Sequence, residues 1–250
     1  MSAGRARVLG LQAAAVAALL GAWEAATLAG WVDPLFVPAP SAVARALAAV
    51  APQALAGLAD TLAKTAIAYA LAVVGGVSLG VLVGSVRLLR EVVSPYVLAL
   101  YGMPKILVLP WIVLLLGYGT APAVVYGTIH GLFPILVLVV GGVRDVDRQL
   151  VTVARSFGAT PWQLYVKVVL PAIVPTIIAG MRLGIVFCLL GVLVVEMFAG
   201  VRGMGHVLGS LANGFQAAEL FAATALVSAA SIAIVLALDA LNERLSRWRG

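Results

Sequence analysis

Long apolar runs, separated by short clusters of charges or of Gly and Pro, succeed one another along the chain. A bilayer-crossing helix needs about 20 predominantly apolar residues. On that rule the pattern predicts six spans, at about residues 8–30, 62–86, 92–116, 121–143, 173–199 and 219–241. The expected fold class is an all-α membrane protein with a single transmembrane domain over residues 1–250. Two intervening stretches stand out. "WVDPLFVPAPSAV", Trp31 to Val43, has prolines and turn residues that argue against a helix through its middle. The other, residues 144–171, is too apolar for a linker and too short to fold alone.

Within the second predicted span, Gly76, Gly80 and Gly84 recur at a spacing of four, so one helix face lacks side chains and a second helix can approach closely. The same region contains "GVSLG", which formally matches the G-x-S-x-G nucleophile elbow. That elbow needs a strand-to-helix turn, which a glycine-striped span does not supply. An intramembrane hydrolase using Ser78, with His130 as base, is therefore a poor reading.

Composition narrows the class further. Hydrophobic residues make up 63% of the chain and charged residues 10%, against roughly 25% charged in soluble domains. No room remains for a soluble catalytic domain. The one cysteine, Cys188, lies in an apolar run, which leaves neither a disulfide framework nor a thiolate metal cluster. The net charge of +6 comes from basic residues scattered at the ends of apolar runs rather than clustered on a nucleic-acid-binding face. Arg5 and Arg7 followed by "VLGLQAAAVAALLGAW" have the form of a secretory signal. Retaining that segment as a first span gives an even number of crossings and leaves both termini on one side.

With the N-terminus in the cytoplasm, the inner segments hold eleven basic residues: Arg5, Arg7, Arg87, Arg90, Arg144, Arg148, Arg155, Lys167, Arg244, Arg247 and Arg249. The outer segments hold three, Arg45, Lys64 and Arg202. This asymmetry predicts cytoplasmic termini by the positive-inside rule, and places residues 144–171 in the cytoplasm as well.

That segment reads as two short helices. Asp147 can cap the first, whose Leu150, Ala154 and Phe157 recur at helical spacing, and Gly158 can end it in the left-handed conformation. Thr160 caps the second, with Pro161 at its first position. Trp162, Tyr165 and Val169 share one face of it, Gln163 and Lys167 share another, and Pro171 should stop it before the fifth span. An aromatic face on such a helix can lie in the headgroup layer, dock in a partner's groove, or pack beneath the chain's own spans.

The run "TVARSFGATPWQLYVKVVLP", Thr152 to Pro171, resembles the cytoplasmic signature of binding-protein-dependent ABC importer permeases. In that signature E-A-A, three residues, Gly, nine residues, an aliphatic, any residue and Leu-Pro occur in order. Ala154, Gly158, Val168, Leu170 and Pro171 match in register, whereas Thr152 replaces the Glu and Val153 an Ala. Further stretches, "VPAPSAV", "YGMPKILVLP", "GGVRDVDRQLVTVARSFGA", "GMRLG", "VVEM" and "RWR", resemble permeases of the nitrate/sulfonate/taurine type. The similarity runs from about Phe36 to Arg249.

The resemblance implies a homodimeric permease in a bacterial or archaeal cytoplasmic membrane. It also implies two cytoplasmic ATP-binding subunits that carry ATP and Mg, and an extracytoplasmic substrate-binding protein. The ATPase-coupling residues would be Ala154, Gly158, Thr160, Pro161, Trp162, Tyr165, Val168, Leu170 and Pro171. No G-x-x-x-x-G-K-[ST] phosphate loop occurs in the chain, so ATP hydrolysis is expected on a partner; the chain itself is expected to need no cofactor and to be no enzyme.

Ionisable residues inside spans are costly and point to cavities or partners. Lys105, His130 and Arg182 fall near mid-membrane and Glu196 near the outer end of the fifth span; these four are the candidate pathway residues. Arg182 and Glu196 cannot pair within one helix, since fourteen residues at about 1.5 Å each separate them by roughly 20 Å. Three basic groups at similar depth favour an anion in transit. The competing reading is that each satisfies packing or backbone, Lys105 after Pro104 in particular. Two departures from the related permeases, Leu138-Val139 where Asn-Thr is frequent and "LLLGYG" where Leu-Trp-Phe-Gly is common, imply a less polar wall, which weakens the transfer of nitrate or taurine as cargo and leaves room for an organic solute such as an aromatic sulfonate, a pyrimidine precursor or a vitamin. A secondary, ion-coupled transporter is the alternative, but it has no need of an ATPase-docking signature.

Overall fold

The computed structural model describes residues 3–246. The "RWR" motif with Arg247 and Arg249 lies outside the described residues, as do the side chains of Arg5 and Arg244. Ten α-helices follow one another: α1 (Ala3–Leu28), α2 (Pro40–Ser85), α3 (Arg87–Gly102), α4 (Leu109–Leu116), α5 (Thr120–Arg144), α6 (Arg148–Ser156), α7 (Pro161–Leu164), α8 (Leu170–Ala199), α9 (Met204–Asn213) and α10 (Ala217–Ser246). Five segments are long and apolar enough to cross a membrane, and six if α3 and α4 together form one broken span. The described residues contain no strand, and the chain is an all-α multi-pass membrane protein.

The core is a three-helix layer of α2, α5 and α8. Its contacts depend on missing side chains. A Cβ at Gly76, Gly80 or Gly84 of α2 would lie 2.7–2.8 Å from the Cβ of Ile135, Val139 or Val143 on α5. The stripe predicted from sequence thus seats three consecutive turns of α5. Across its other face, α5 presents Gly127 and Gly131 to Val192 and Cys188 of α8, while Gly184 of α8 receives Ile135 in return. Ile135, Val139 and Cys188 are fully buried. Val139 is consequently a packing residue against Gly80, whereas its neighbour Leu138 is half-buried. Ser78 is exposed mid-helix, and its hydroxyl donates to the Val74 carbonyl, one turn back on its own helix.

Three elements differ from the expected spans. First, α2 is 46 residues long and begins at Pro40, well before residue 62. At 1.5 Å per residue it is about 70 Å long, so a large part lies beyond a hydrocarbon core of about 30 Å. Residues 31–39 are non-helical, as the prolines suggested, but Pro40 opens the helix at a first-turn position where its missing N–H costs nothing. The N-terminus of α2 is capped from another helix: Glu24 of α1 accepts from the Ser41 N–H at 3.0 Å and from its hydroxyl at 2.7 Å. Otherwise α1 touches the bundle sparingly, with Trp23 tilted against Phe221 at 5.7 Å.

Second, the predicted span over 92–116 is broken. Helix α3 ends at Gly102, a single 3-10 turn follows over Lys105–Val108, and the two halves meet at 89°. Met103 and Pro104 are extended, and a residue before proline avoids the helical region. The eight-residue α4 that follows is about 12 Å long, too short to cross alone. Third, residues 200–218, read as an outer loop, contain α9. Its Met204, Val207, Leu208 and Leu211 pack against Val50, Ala54, Ala222 and Ala223. That i, i+3, i+4, i+7 spacing was legible in the sequence.

Candidate functional site

Helices α6 and α7 stand clear of the bundle, and their ends are fixed by local hydrogen bonds. Asp147 accepts from the Gln149 N–H at 2.8 Å. At the far end Gly158 has φ +76°, its N–H donates to the Arg155 carbonyl at 2.9 Å, and the Ala159 N–H donates to the Ala154 carbonyl at 3.1 Å. These two bonds form a Schellman closure. Helix α7 opens with a full capping box: Thr160 Oγ1 accepts from the Gln163 N–H at 3.3 Å, and Gln163 Oε1 accepts from the Thr160 N–H at 3.0 Å. The T-x-x-Q spacing carries that reciprocal signal, so Gln163 is a capping residue as well as part of the face it shares with Lys167.

The chain does not stop at Pro171. Instead α7, a π-turn over Tyr165–Val169 and α8 run on as one continuous helix, in which the Leu170 N–H donates to the Tyr165 carbonyl. An i→i+5 turn inserts one extra residue. It therefore gives room where the Pro171 ring would clash in a regular helix and rotates the faces on either side of it. For this reason the expected shared face of Trp162, Tyr165 and Val169 is split. Trp162 is 76% exposed, Tyr165 is half-buried and Val169 is buried. Val168 and Leu170 are half-buried, with Leu170 against the cluster around Ile173 and Val139. Ala154 is half-buried on α6, and Thr160 and Pro161 are exposed. Phe157 is 88% exposed, and Leu150 and Val153 are also exposed.

The loop thus presents an apolar surface that no other described residue covers. Its shape depends on Gly158, where the left-handed conformation costs a residue with a Cβ roughly 1 kcal/mol or more. Gly158→Ala is expected to speed amide exchange at Gly158 and Ala159 about five-fold or more, and Gly158→Asn to do so less. Unchanged exchange in the alanine variant would remove Gly158 as the element that sets the turn.

At the opposite end of the bundle Glu196 is completely buried. Lys64 Nζ donates to Glu196 Oε1 at 2.8 Å and to the Arg202 carbonyl at 3.0 Å, and it pairs with Asp60 at 2.5 Å. Thr61 Oγ1 donates to Glu196 Oε2 at 2.6 Å, and the Gly205 N–H donates to the same oxygen at 2.9 Å. The Met204 N–H in turn donates to Thr61 Oγ1 at 2.7 Å. Seven polar groups from α2, α8, the turn at Arg202 and the start of α9 are thereby tied together. The turn before α9 needs Gly203 (φ +113°), because a Cβ there would collide with the Glu196 carboxylate. Lys64, counted from sequence among the outer charges, is 3% exposed.

The remaining candidate pathway residues are engaged by different elements. Lys105 Nζ donates to the Tyr101 carbonyl at 2.9 Å and lies 5.1 and 5.4 Å from the ring centres of Tyr101 and Phe133, cation–π distances. This is the backbone-satisfying role foreseen for a lysine after Pro104, although the carbonyl is that of Tyr101. His130 rests on Tyr126 with ring centres 4.5 Å apart. Arg182 forms an ion pair with Asp239 of α10, a partner that sequence spacing could not reveal. Arg182 is thus held through α10, whereas Lys105 and His130 both lie beside α5 and interact electrostatically.

The profile of the family described as "Binding-protein-dependent transport system inner membrane component" matches residues 72–249. The carnitine transport permease protein OpuCB of Listeria monocytogenes is 32% identical over 139 residues, 56% of this chain and 63% of that protein. The taurine transport system permease protein TauC of Escherichia coli is 27% identical over 142 residues, 57% of this chain and 52% of that protein. The matches thus span less than two thirds of these curated relatives. Among solved structures, an inward-facing form of the MetNI methionine ABC transporter superposes with a TM-score of 0.64 at 24% identity, covering 76% of this chain and 93% of that one. With the profile matched from α2 to the C-terminus, including the capped α6–α7 segment, this chain belongs to the binding-protein-dependent transport system inner membrane component family.

Proposed function

We propose that this chain is the membrane-spanning permease subunit of an ATP-driven importer and that α6 and α7 dock on separate ATPase subunits. One observation carries the proposal. Phe157 and Trp162 are 88% and 76% exposed on helices whose ends are locked by a Schellman closure and a capping box. Large aromatics on a preorganised surface are the residues that dominate protein interfaces. The continuous helix from Pro161 to Ala199 supplies the mechanical link. A rigid-body movement of a partner seated on α7 would pass along it into the bundle.

On this reading two copies of the chain form the pathway, ATP and Mg are bound by the partner subunits, and a substrate-binding protein delivers cargo on the other face. The chain itself carries out no chemical step. The termini lie in the cytoplasm, since this places α6 and α7 on the ATPase side and agrees with the basic asymmetry. Relatives named for carnitine and for taurine both carry a small organic solute with a fixed charge. A small charged organic solute is the cargo class proposed here.

The test is co-purification of the tagged full chain with the ATP-binding subunit encoded in the same genome. Wild type is expected to retain it stoichiometrically, and Phe157→Ala/Trp162→Ala to weaken retention by about thirty-fold or more, as two interface anchors would. If no nucleotide-binding subunit is retained by wild type under any condition, an ion-coupled transporter becomes the better reading.

A further inference from the structure

A cavity of about 850 Å³ opens between the facing ends of α2, α3 and α5 and the start of α6. Arg87, Arg90, Arg144 and Arg148 line it. Glu91 lines it as well; its carboxylate accepts from Arg87 Nε at 2.8 Å and also attracts Arg90. Arg90 Nη1 donates to the Gly84 carbonyl at 3.0 Å, which orients the guanidinium without neutralising it. Among the described residues neither Arg144 nor Arg148 has a carboxylate within ion-pair distance. Asp145 and Asp147 line the adjoining cavity, which shares Val137 and Gly141 with this one. Among the described residues Arg144 and Arg148 therefore face this space without an ion-pair partner, and a single carboxylate, Glu91, shares it with four guanidinium groups.

The same cavity changes character with depth. Arg87 and Arg90 sit at the start of α3, while Val97 and Leu98 lie about two turns further into the membrane; on α5, Arg144 is at the terminus and Val137 and Val140 are one to two turns deeper. Ser94, between the two zones, has a hydroxyl oxygen sealed from solvent with no hydrogen-bond partner. A group with several acceptor oxygens and negative charge on top, and hydrocarbon below, matches this lining. Basic pockets between membrane helices at an interface select such headgroups, and paired Arg–phosphate hydrogen bonds are the strong, oriented kind.

We propose that this cavity binds an anionic phospholipid, its phosphate held by Arg90, Arg144 and Arg148 and an acyl chain running along Val97, Leu98 and Val137. The proposal goes beyond the transport reading and stands on membrane placement alone. A bound lipid there would brace α3 against the α5–α6 corner, next to the segment proposed to meet the ATPase.

The experiment is native mass spectrometry of the delipidated full chain in detergent. The chain is titrated with dioleoyl-phosphatidylglycerol, with dioleoyl-phosphatidylcholine and, in competition, with inorganic phosphate. Phosphatidylglycerol is expected to bind in preference to phosphatidylcholine. Arg144→Gln/Arg148→Gln is expected to weaken it about thirty-fold, the loss of two phosphate contacts, with phosphatidylcholine unaffected. Arg144→Lys/Arg148→Lys should retain most of the binding, and an unchanged gel-filtration profile separates a lost site from a lost fold. Equal binding of the two lipids, or unchanged phosphatidylglycerol binding in the glutamine pair, overturns the proposal. So does displacement of the lipid by inorganic phosphate at matched concentration, which would make this a site for a free anion.

Discussion

Glu196→Ala is expected to destabilise the purified chain by about 3 kcal/mol, measured as the midpoint of unfolding in a denaturing detergent titration. Breaking a buried ion pair by removing one partner typically costs about 3–5 kcal/mol, because the other charge stays buried. The lower end applies here, since Asp60 remains 2.5 Å from Lys64. The substitution also strands the Gly205 N–H and the Thr61 hydroxyl, both of which donate to Glu196 Oε2. Lys64→Met/Glu196→Gln should recover roughly 2 kcal/mol of the loss, since the amide oxygen still accepts those bonds and Asp60 keeps Arg202 Nε at 3.4 Å as its ion-pair partner. A midpoint for Glu196→Ala within about 0.5 kcal/mol of wild type would mean that this network does not hold α9 to α2 and α8. The charge on Glu196 would then be free for cargo.

The second large effect is expected at the α5–α8 contact. Gly131→Ala places a Cβ against Cys188 Sγ and 2.8 Å from the Gly184 carbonyl. The thiol can rotate, but the carbonyl belongs to the helix backbone, so the two helices must separate. Overpacking of this kind typically costs about 1–3 kcal/mol. Gly141→Ala, on the same helix, meets nothing within 4 Å and should be neutral or stabilising by up to about 1 kcal/mol, through helix propensity. If both variants unfold alike, close approach is not what fixes the bundle; if only Gly131→Ala does, the glycine pairing is the determinant.

These two sites differ in how far they could be read in advance. The glycine stripe of α2 was visible because its spacing of four repeats along one helix, a property of a single segment. Its partner on α5 was not, since Ile135, Val139 and Val143 look like any apolar run until the helices are docked. The Lys64–Glu196 pair brings together residues 132 positions apart, and sequence order carries no trace of that. The break at Met103–Pro104 had a local signal in its proline, but the apolar count that defines a span is blind to direction. A right-angle bend and a straight helix score alike.

What the sequence determined by itself was whatever depends on residue type and short-range spacing. Six apolar stretches announced the membrane. Asp147, Gly158, Thr160 and Pro161 announced the ends of α6 and α7, because caps act within about four residues of one another. The signature from Ala154 to Pro171 and the matches beyond it announced the family. What only tertiary structure decided was the partner of Arg182 and of Glu196. Arg182 is held to Asp239 of α10 and Glu196 to Lys64 of α2. Tertiary structure also decided that Trp162 faces outward while Val169 faces in, because a π-turn lies between them. The physical reason is the same in each case. A buried charge or an exposed aromatic is defined by what other segments bring to it, and a linear pattern records only the segment itself.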